Sequence, residues 1–504
     1  MNVLHIEPSS AATTQRAPAL LPAVVIASIG VSAVGGAMVM SADPGQLLLL
    51  ATVGAGLGGW ALRSPSFAVM LMAVALFLRT PLSQGSSLPI ELWLLVFVLL
   101  VIATGLWLMR TSERVRGAGP VEWAMALFLL WNVYSMVSPH EYGAIDPDTG
   151  GPLPVVRFIV VATLIPFTLY LVGRYTFDTP KAVRALLWTI LVLATYSAAV
   201  SIMPAVGLGG RVWPRYIVDD PAWEGRAVGI FNQPVVNGMV LTLGFAIAMF
   251  FCSHRDEPRW RRIAAAGIAV SCGIGIYLTY TRAVWLSALL VLIVGALLAK
   301  GFRAGFVVAL GLVTTAVLLN WSTFTSSDRE AGGVASESEV QSRLNDIQTA
   351  LWARTEKPLA GWGIGRFPAV NTYHHQQWSQ DVPWAGGYGE AAHSNEMGVL
   401  AELGGIGLAL WLSVLIFIVV RLRIAYRRLT DNGMCGRPLA VIAIMAMTIL
   451  VCTGLTVDLR YFDFPTATTF LVIGIAAGWA ERVARPAQTP APVPDVEREP
   501  VHHA

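Results

Sequence analysis

Charge is what this sequence has least of. Only 13% of its 504 residues are Asp, Glu, Lys or Arg, against roughly 25% in an ordinary soluble domain, while 55% are apolar. Lipid is therefore the main solvent. The net charge of +3 is too small to mark a nucleic-acid partner, and no basic stripe appears. Cysteine is scarce as well, with Cys252, Cys272, Cys435 and Cys452. They show no CxxC spacing and no nearby His, which excludes a disulfide framework and leaves them as small packing residues rather than metal ligands. His374 and His375 are adjacent rather than i,i+4, so no helical zinc pair is expected. No cofactor and no metal follow from these residues.

What the chain has in abundance is long apolar runs. Backbone groups in lipid must bond within their own segment, so such runs read as helices. Fourteen can be drawn: 18–40, 46–62, 65–79, 90–109, 121–138, 156–173, 183–204, 233–253, 263–280, 283–299, 304–321, 395–420, 438–457 and 464–480. The second and third are short, which brackets the count at 12 to 14. The run 18–40 follows Arg16 as a secretory signal would, but it is too long for one and more spans follow. The expected fold is an all-α polytopic membrane bundle of about 14 transmembrane helices with one large periplasmic loop between helices 11 and 12. Residues 1–17 are a cytoplasmic N-terminus, 18–480 one transmembrane unit including the loop 322–394, and 481–504 a disordered, Pro-rich cytoplasmic tail.

Alternating the loops between two sides gathers most Lys and Arg residues on one of them, which the positive-inside rule makes the cytoplasm. Arg79, Arg157, Arg211, Arg215, Arg226, Arg282 and Arg460 fall on the other side and need a reason to be there. Three outer loops are long, 140–155, 205–232 and 322–394, and chemistry is to be sought in them. In the third, Val340, Leu344, Ile347 and Leu351 recur at helical spacing, which predicts an amphipathic helix lying on the membrane surface or capping the bundle.

Four motifs carry candidate chemistry. Arg226-Ala-Val-Gly229-Ile-Phe-Asn232-Gln-Pro234 leads into the helix starting near Gln233. An arginine there either grips phosphate, with help from the helix N-terminus, or touches lipid headgroups. Tyr280-Thr281-Arg282 is a very short outer turn whose arginine either snorkels or joins Arg226 on a diphosphate. Pro358-Leu-Ala-Gly361-Trp-Gly363-Ile-Gly365-Arg366-Phe367 has no strand before it, so it is no dinucleotide fingerprint. Its glycines favour a tight turn with close backbone approach over direct substrate binding. Last, His393-Ser394 follows the Gly-rich stretch 384–392 at a helix entrance. With an ordinary pKa near 6.5 its imidazole either serves as a general base on a sugar hydroxyl or is structural. Glu402 reads as the only charge deep in a span, so it is either functional or paired.

In this order the motifs resemble the O-antigen ligase and Wzy-like polymerase superfamily, over about 206–420. The ligases' pattern of His, then Asn, Ser or Gln, nine residues, and Gly-x-x followed by Gly, Thr or Tyr is met by His393, Ser394, Gly404 and Gly407. The resemblance implies a metal-independent, inverting glycosyltransferase of the bacterial inner membrane, active on the periplasmic face. It would move a glycan from undecaprenyl diphosphate to a hydroxyl of an acceptor glycan or lipid A-core, as ligase or as polymerase of O-antigen or exopolysaccharide. Arg226 and Arg282 would hold the diphosphate and His393 would activate the acceptor. Arg211, Arg215, Arg366, Glu396 and Glu402 are supporting candidates. A flippase for lipid-linked sugars, or a non-catalytic assembly protein, is the rival reading. A flippase should carry charges near the bilayer midplane, and these spans look almost free of them.

Overall fold

A computed structural model describes residues 54–85, 91–111, 117–223, 225–326, 337–381 and 389–484. The expected span 18–40, the two terminal segments 1–17 and 485–504, and most of the stretch 384–392 lie outside the described residues. Of the run 46–62, residues 54–61 are helical.

The principal helices are α1 (Pro65–Phe77), α2 (Leu92–Arg110), α3 (Pro120–Val137), α4 (Val155–Thr176), α5 (Pro180–Ala205), α6 (Pro234–Ser253), α7 (Arg259–Leu278), α8 (Arg282–Leu298), α9 (Arg303–Leu319), α10 (Glu337–Glu356), α11 (Phe367–His374), α12 (Asn395–Arg428), α13 (Arg437–Gly454) and α14 (Asp463–Val483). Among the described residues there is no β-strand beyond one isolated bridge, Ile145 to Pro152. Among the described residues, eight helices are long and apolar enough to cross a membrane: α2 to α7, α12 and α13. The apolar helices α1, α8 and α9 are shorter.

Helix starts follow from local chemistry. Proline opens α1, α3, α5 and α6, where its missing N–H is no loss. Ser64, Thr179, Gln233 and Ser394 cap α1, α5, α6 and α12 with a side-chain oxygen. Within α4 the ladder widens into a π turn at Val160–Leu164, directly ahead of Pro166, which cannot donate to it.

Burial sorts the helices. Of the apolar stretch of α6, 89% is buried, against 28% for α2 and α7, whose outward Leu95, Val98, Ile263 and Val270 suit a lipid surface. The helix α14 is rich in threonine, yet it is buried almost throughout. It packs backbone to backbone on α4, because a Cβ at Gly474 would meet the Tyr170 carbonyl at 2.1 Å and one at Gly478 the Arg174 carbonyl at 2.3 Å. Small residues four apart allow that approach, which dispersion and close packing reward where hydrophobic burial gives little.

Charge gathers at helix ends: Arg174 of α4, 3% exposed, pairs with Glu122 of α3 at 2.5 Å and with Glu481 of α14 at 3.0 Å, and Arg421 of α12 joins Glu481 at 3.1 Å. The helix α10 was predicted, but its buried face was not. Val340 and Leu351 are exposed, while Asn345, Asp346, Thr349, Ala350 and Ala353 are buried. That face turns inward because its polar groups find partners there, as described below.

The largest irregularity is in α12. At Gly404 the backbone leaves the helix (φ 68°, ψ −170°), a conformation open essentially to glycine alone. The freed groups pair with the turn 358–363: Trp362 N–H donates to the Ala401 carbonyl (3.0 Å), Gly363 N–H to Glu402 (2.8 Å), and Gly405 N–H to Pro358 (2.8 Å). The Trp131 indole of α3 takes up the Leu403 carbonyl at 2.9 Å. A Cβ on Gly404 would lie 2.2 Å from the Leu359 carbonyl oxygen. We expect Gly404→Ala to cost about 3 kcal/mol or more, read as a lowered thermal midpoint of the purified protein in detergent. Gly267→Ala, where a Cβ meets nothing within 4 Å, should be neutral; equal behaviour of the two variants would refute the docking.

Candidate functional site

The Arg226 motif is built to hold its arginine still. Gly229 sits at φ 57°, and a Cβ there would strike the Asn237 side chain at 2.3 Å, so both angle and space call for glycine. Asn237 is fully buried in α6, donates to the Ala227 carbonyl and the Ser201 hydroxyl (2.9 Å each) and accepts from Ser197 (2.6 Å), so α5 and α6 clamp the loop. Asn232 takes the left-handed conformation that asparagine tolerates, and its amide donates to Asp220 at 2.6 Å.

Arg226 itself reaches the turn between α7 and α8. Its Nε donates to the Thr279 carbonyl (3.2 Å), its Nη2 to the Thr281 hydroxyl (2.7 Å), and its guanidinium lies 5.2 Å from the Trp223 ring centroid. The adjoining Ala227 N–H donates to the Leu278 carbonyl at 2.9 Å. Thr281 precedes Arg282, the first residue of α8. Arg226 is thus bonded to the turn that leads into Arg282, 56 positions later in the sequence.

From Arg282 a chain of contacts leads to His393. The Cys452 thiol of α13 contacts the carbonyl of Ala283 at 3.8 Å, and the end of α13 at Gly454 lies against Asn395 and Glu396 in the first turn of α12. Glu396 keeps one carboxylate oxygen buried and without a hydrogen bond. His393 stands just before that turn, its side chain 36% exposed. Its Nε2 lies 2.8 Å from Glu390 Oε2 and 3.7 Å from Asp346 Oδ2 of α10. Burial works against the charged imidazole, but the two carboxylates outweigh it and hold His393 above its ordinary pKa. Its hydrogen bond to His393 holds Glu390 below the usual carboxylate range. Burial pushes Asp346 up to about 7. One ligand atom from each of Asp346, Glu390 and His393 lies within 4.8 Å of the others, a set able to receive a cation as well as a proton.

The supporting candidates separate by geometry. Both oxygens of Glu402, which is fully buried, are engaged: Oε2 with Arg460 Nη1 at 2.6 Å and Oε1 with the Phe367 N–H at 2.9 Å. Arg460 is also bonded twice to Asp458. Of the two readings of Glu402, functional or paired, the pairing is what the side chain does. Arg366 fastens the turn 363–366 to the loop between α3 and α4 through the Tyr142 carbonyl at 2.9 Å. Arg215 is exposed and bonded to Asp219 at 2.7 Å, and Arg211 is exposed on a 3-10 turn.

Residues 265–412 match the family model described as O-antigen ligase, Wzy_C. Over that segment, less than half of its length, the chain is similar to the O-antigen ligases. No curated protein matches the chain. The matched segment runs from α7 into α12 and contains Arg282, Asp346, Arg366, His393, Glu396 and Glu402, while Arg226 precedes it and joins it by its bonds to Thr279 and Thr281. Together with the long apolar helices, this similarity supports a membrane protein of polysaccharide assembly. Sequence reasoning passed over Asp346 and Glu390, because a carboxylate in a polar loop gives no signal until the loop is folded. Asn237 did give one, as an amide inside an apolar run.

The Arg460 cluster gives a test of structure rather than chemistry. Removing the arginine leaves Glu402 and Asp458 buried without their cation, so Arg460→Ala should cost about 3–5 kcal/mol. The triple variant Arg460→Met, Glu402→Gln, Asp458→Asn should recover much of that in detergent thermal unfolding. A destabilisation unchanged by the added substitutions would contradict the account.

Proposed function

We propose that the protein is a membrane glycosyltransferase that moves a glycan from undecaprenyl diphosphate to an acceptor sugar hydroxyl on the periplasmic face of the bacterial inner membrane, as ligase or polymerase. The observation that carries this reading is the bond from Arg226 to Thr281, which ties Arg226 to the turn that leads into Arg282, within the segment similar to the O-antigen ligases. Paired guanidinium groups suit a diphosphate, since each offers a planar fork to phosphate oxygens.

The reaction then needs little else. The acceptor oxygen attacks the anomeric carbon from the face opposite the diphosphate, a C–O bond forms, and the bond to the phosphate oxygen breaks with inversion. Arg226 and Arg282 stabilise the charge that gathers on the departing diphosphate. His393, at the α12 entrance, accepts the hydroxyl proton. Helices α10 and α11, which pack beside His393, shape the acceptor side. The large loop and the count of about fourteen spans belong to this proposal, as does the sidedness of the bundle.

Arg226→Ala, Arg282→Ala and His393→Ala are each expected to lower transfer at least a hundredfold with protein level unchanged, and Arg226→Lys should not restore it because an ammonium lacks the fork. The readout is the distribution of lipid-linked and surface glycans. Long chains stranded on the carrier lipid identify a ligase, and single repeat units without long chains a polymerase. Units trapped facing the cytoplasm, or normal glycans in all three variants, would sink the proposal.

A further inference from the structure

We propose that Asp346 and Glu390 are positioning residues that hold the His393 ring by Nε2, so that Nδ1 is the atom that takes the acceptor's proton; this rests on the glycan-transfer reading above. Both carboxylates address the same ring nitrogen, Glu390 at 2.8 Å and Asp346 at 3.7 Å. An ionised carboxylate only accepts, so the nitrogen it bonds must carry the hydrogen. A neutral imidazole has one such hydrogen, which leaves Nδ1 with the lone pair. Among the described residues no hydrogen bond to Nδ1 is formed, and the ring is partly open to solvent. The proton that leaves the acceptor hydroxyl goes to Nδ1, and the resulting imidazolium lies against two carboxylates until it loses that proton to water.

The fold keeps this arrangement against a cost. Asp346 is 2% exposed, its Oδ2 has no hydrogen bond, and its Oδ1 has the Asn371 amide of α11 at the long distance of 3.5 Å. A buried carboxyl with so little support is expensive. Its placement follows from the inward polar face of α10, where Thr349 contacts His375 and His375 contacts Asn371. The charged groups that act on the ring are Asp346 and Arg343 from α10 and Glu390 from the approach to α12; Arg343 opposes the two carboxylates. Glu396 lies in the first turn of α12, just after His393.

The sign of the pH dependence follows. The neutral ring is the base, so transfer falls as pH drops through the ring's pKa, which the carboxylates raise. Removing Glu390 moves that limb to lower pH. The plateau also falls, roughly tenfold to a hundredfold, because the tautomer is no longer fixed.

The experiment uses the full chain in lipid nanodiscs with 15N-labelled histidine, the His393 signal being identified by its loss in His393→Gln. We expect the Nε2–H tautomer above the titration, a midpoint above 6.5, and a lower midpoint in both Glu390→Gln and Asp346→Asn. In parallel, transfer is followed against pH with lipid-linked glycan and acceptor extracted from the same cells. In Glu390→Gln the acid limb should move with the ring's midpoint, and Glu390→Asp should restore it. An Nδ1–H tautomer, a midpoint that neither substitution moves, or a loss of transfer equal at every pH would overturn the proposal. So would transfer abolished by EDTA and restored by zinc or magnesium, since a cation on these ligands would take the Nε2 lone pair and put the hydrogen on Nδ1. If His393→Gln still transfers, the role of His393 as base falls, and the tautomer result shows separately whether the carboxylates hold the ring.

Discussion

The site end of the bundle depends on the place where α12 stops being a helix. At Gly404 the backbone turns through a conformation that only glycine holds without strain, and the groups it frees are met by the turn 358–363. Each of these hydrogen bonds contributes about 1 kcal/mol net, and together they fix where the segment between α9 and α12 lands. Glu402, beside the break, then accepts from the Phe367 N–H at the start of α11. Through Asn371 and His375, α11 holds the polar face of α10, and Asp346 on that face ends beside His393. A break in one helix thus decides the surroundings of an imidazole eleven residues earlier in the chain.

The arginines that fell on the less basic side of the sequence divide under the same physics. Arg79 pairs with Asp463 at 2.7 Å, Arg157 with Glu91 at 2.8 Å, Arg215 with Asp219, and Arg460 with Asp458 and Glu402. Each is a cation brought against a carboxylate, the arrangement that makes charge tolerable near lipid. Arg226 is oriented by the Thr279 carbonyl, the Thr281 hydroxyl and the face of Trp223.

The helices were legible because lipid imposes one solution on an apolar backbone, and thirteen of the fourteen runs coincide, in whole or in part, with helix in the described residues. The glycine run 358–365 was legible as close backbone approach for a similar reason: three glycines at alternate positions have few other uses. The buried face of α10 was not. Val340 and Leu351 of its apolar stripe are exposed, while Asp346 and Asn345 are buried by partners that lie 25 to 47 positions away. Hydrophobic periodicity measures transfer into oil and is blind to a polar interior. The pairing of Glu402 with Arg460 had the same character, a contact across 58 positions between two charges that each looked exceptional alone.

The division of labour between the two parts of the site follows from how each is held. Arg226 and Arg282 belong to a turn clamped between α5, α6, α7 and α8, where Asn237 satisfies the loop from inside the bundle. His393 belongs to the segment docked on α12, and its carboxylate partners come from that segment alone. In the proposed reaction the first part meets the donor's diphosphate, which has the same chemistry for every glycan carried. The second meets the acceptor, whose sugars vary. A rigid arginine turn can therefore serve an unchanging group, while changes in the docked segment alter acceptor choice without disturbing the diphosphate grip. Between the two parts stands α13, which meets Ala283 through Cys452 and the first turn of α12 at Gly454.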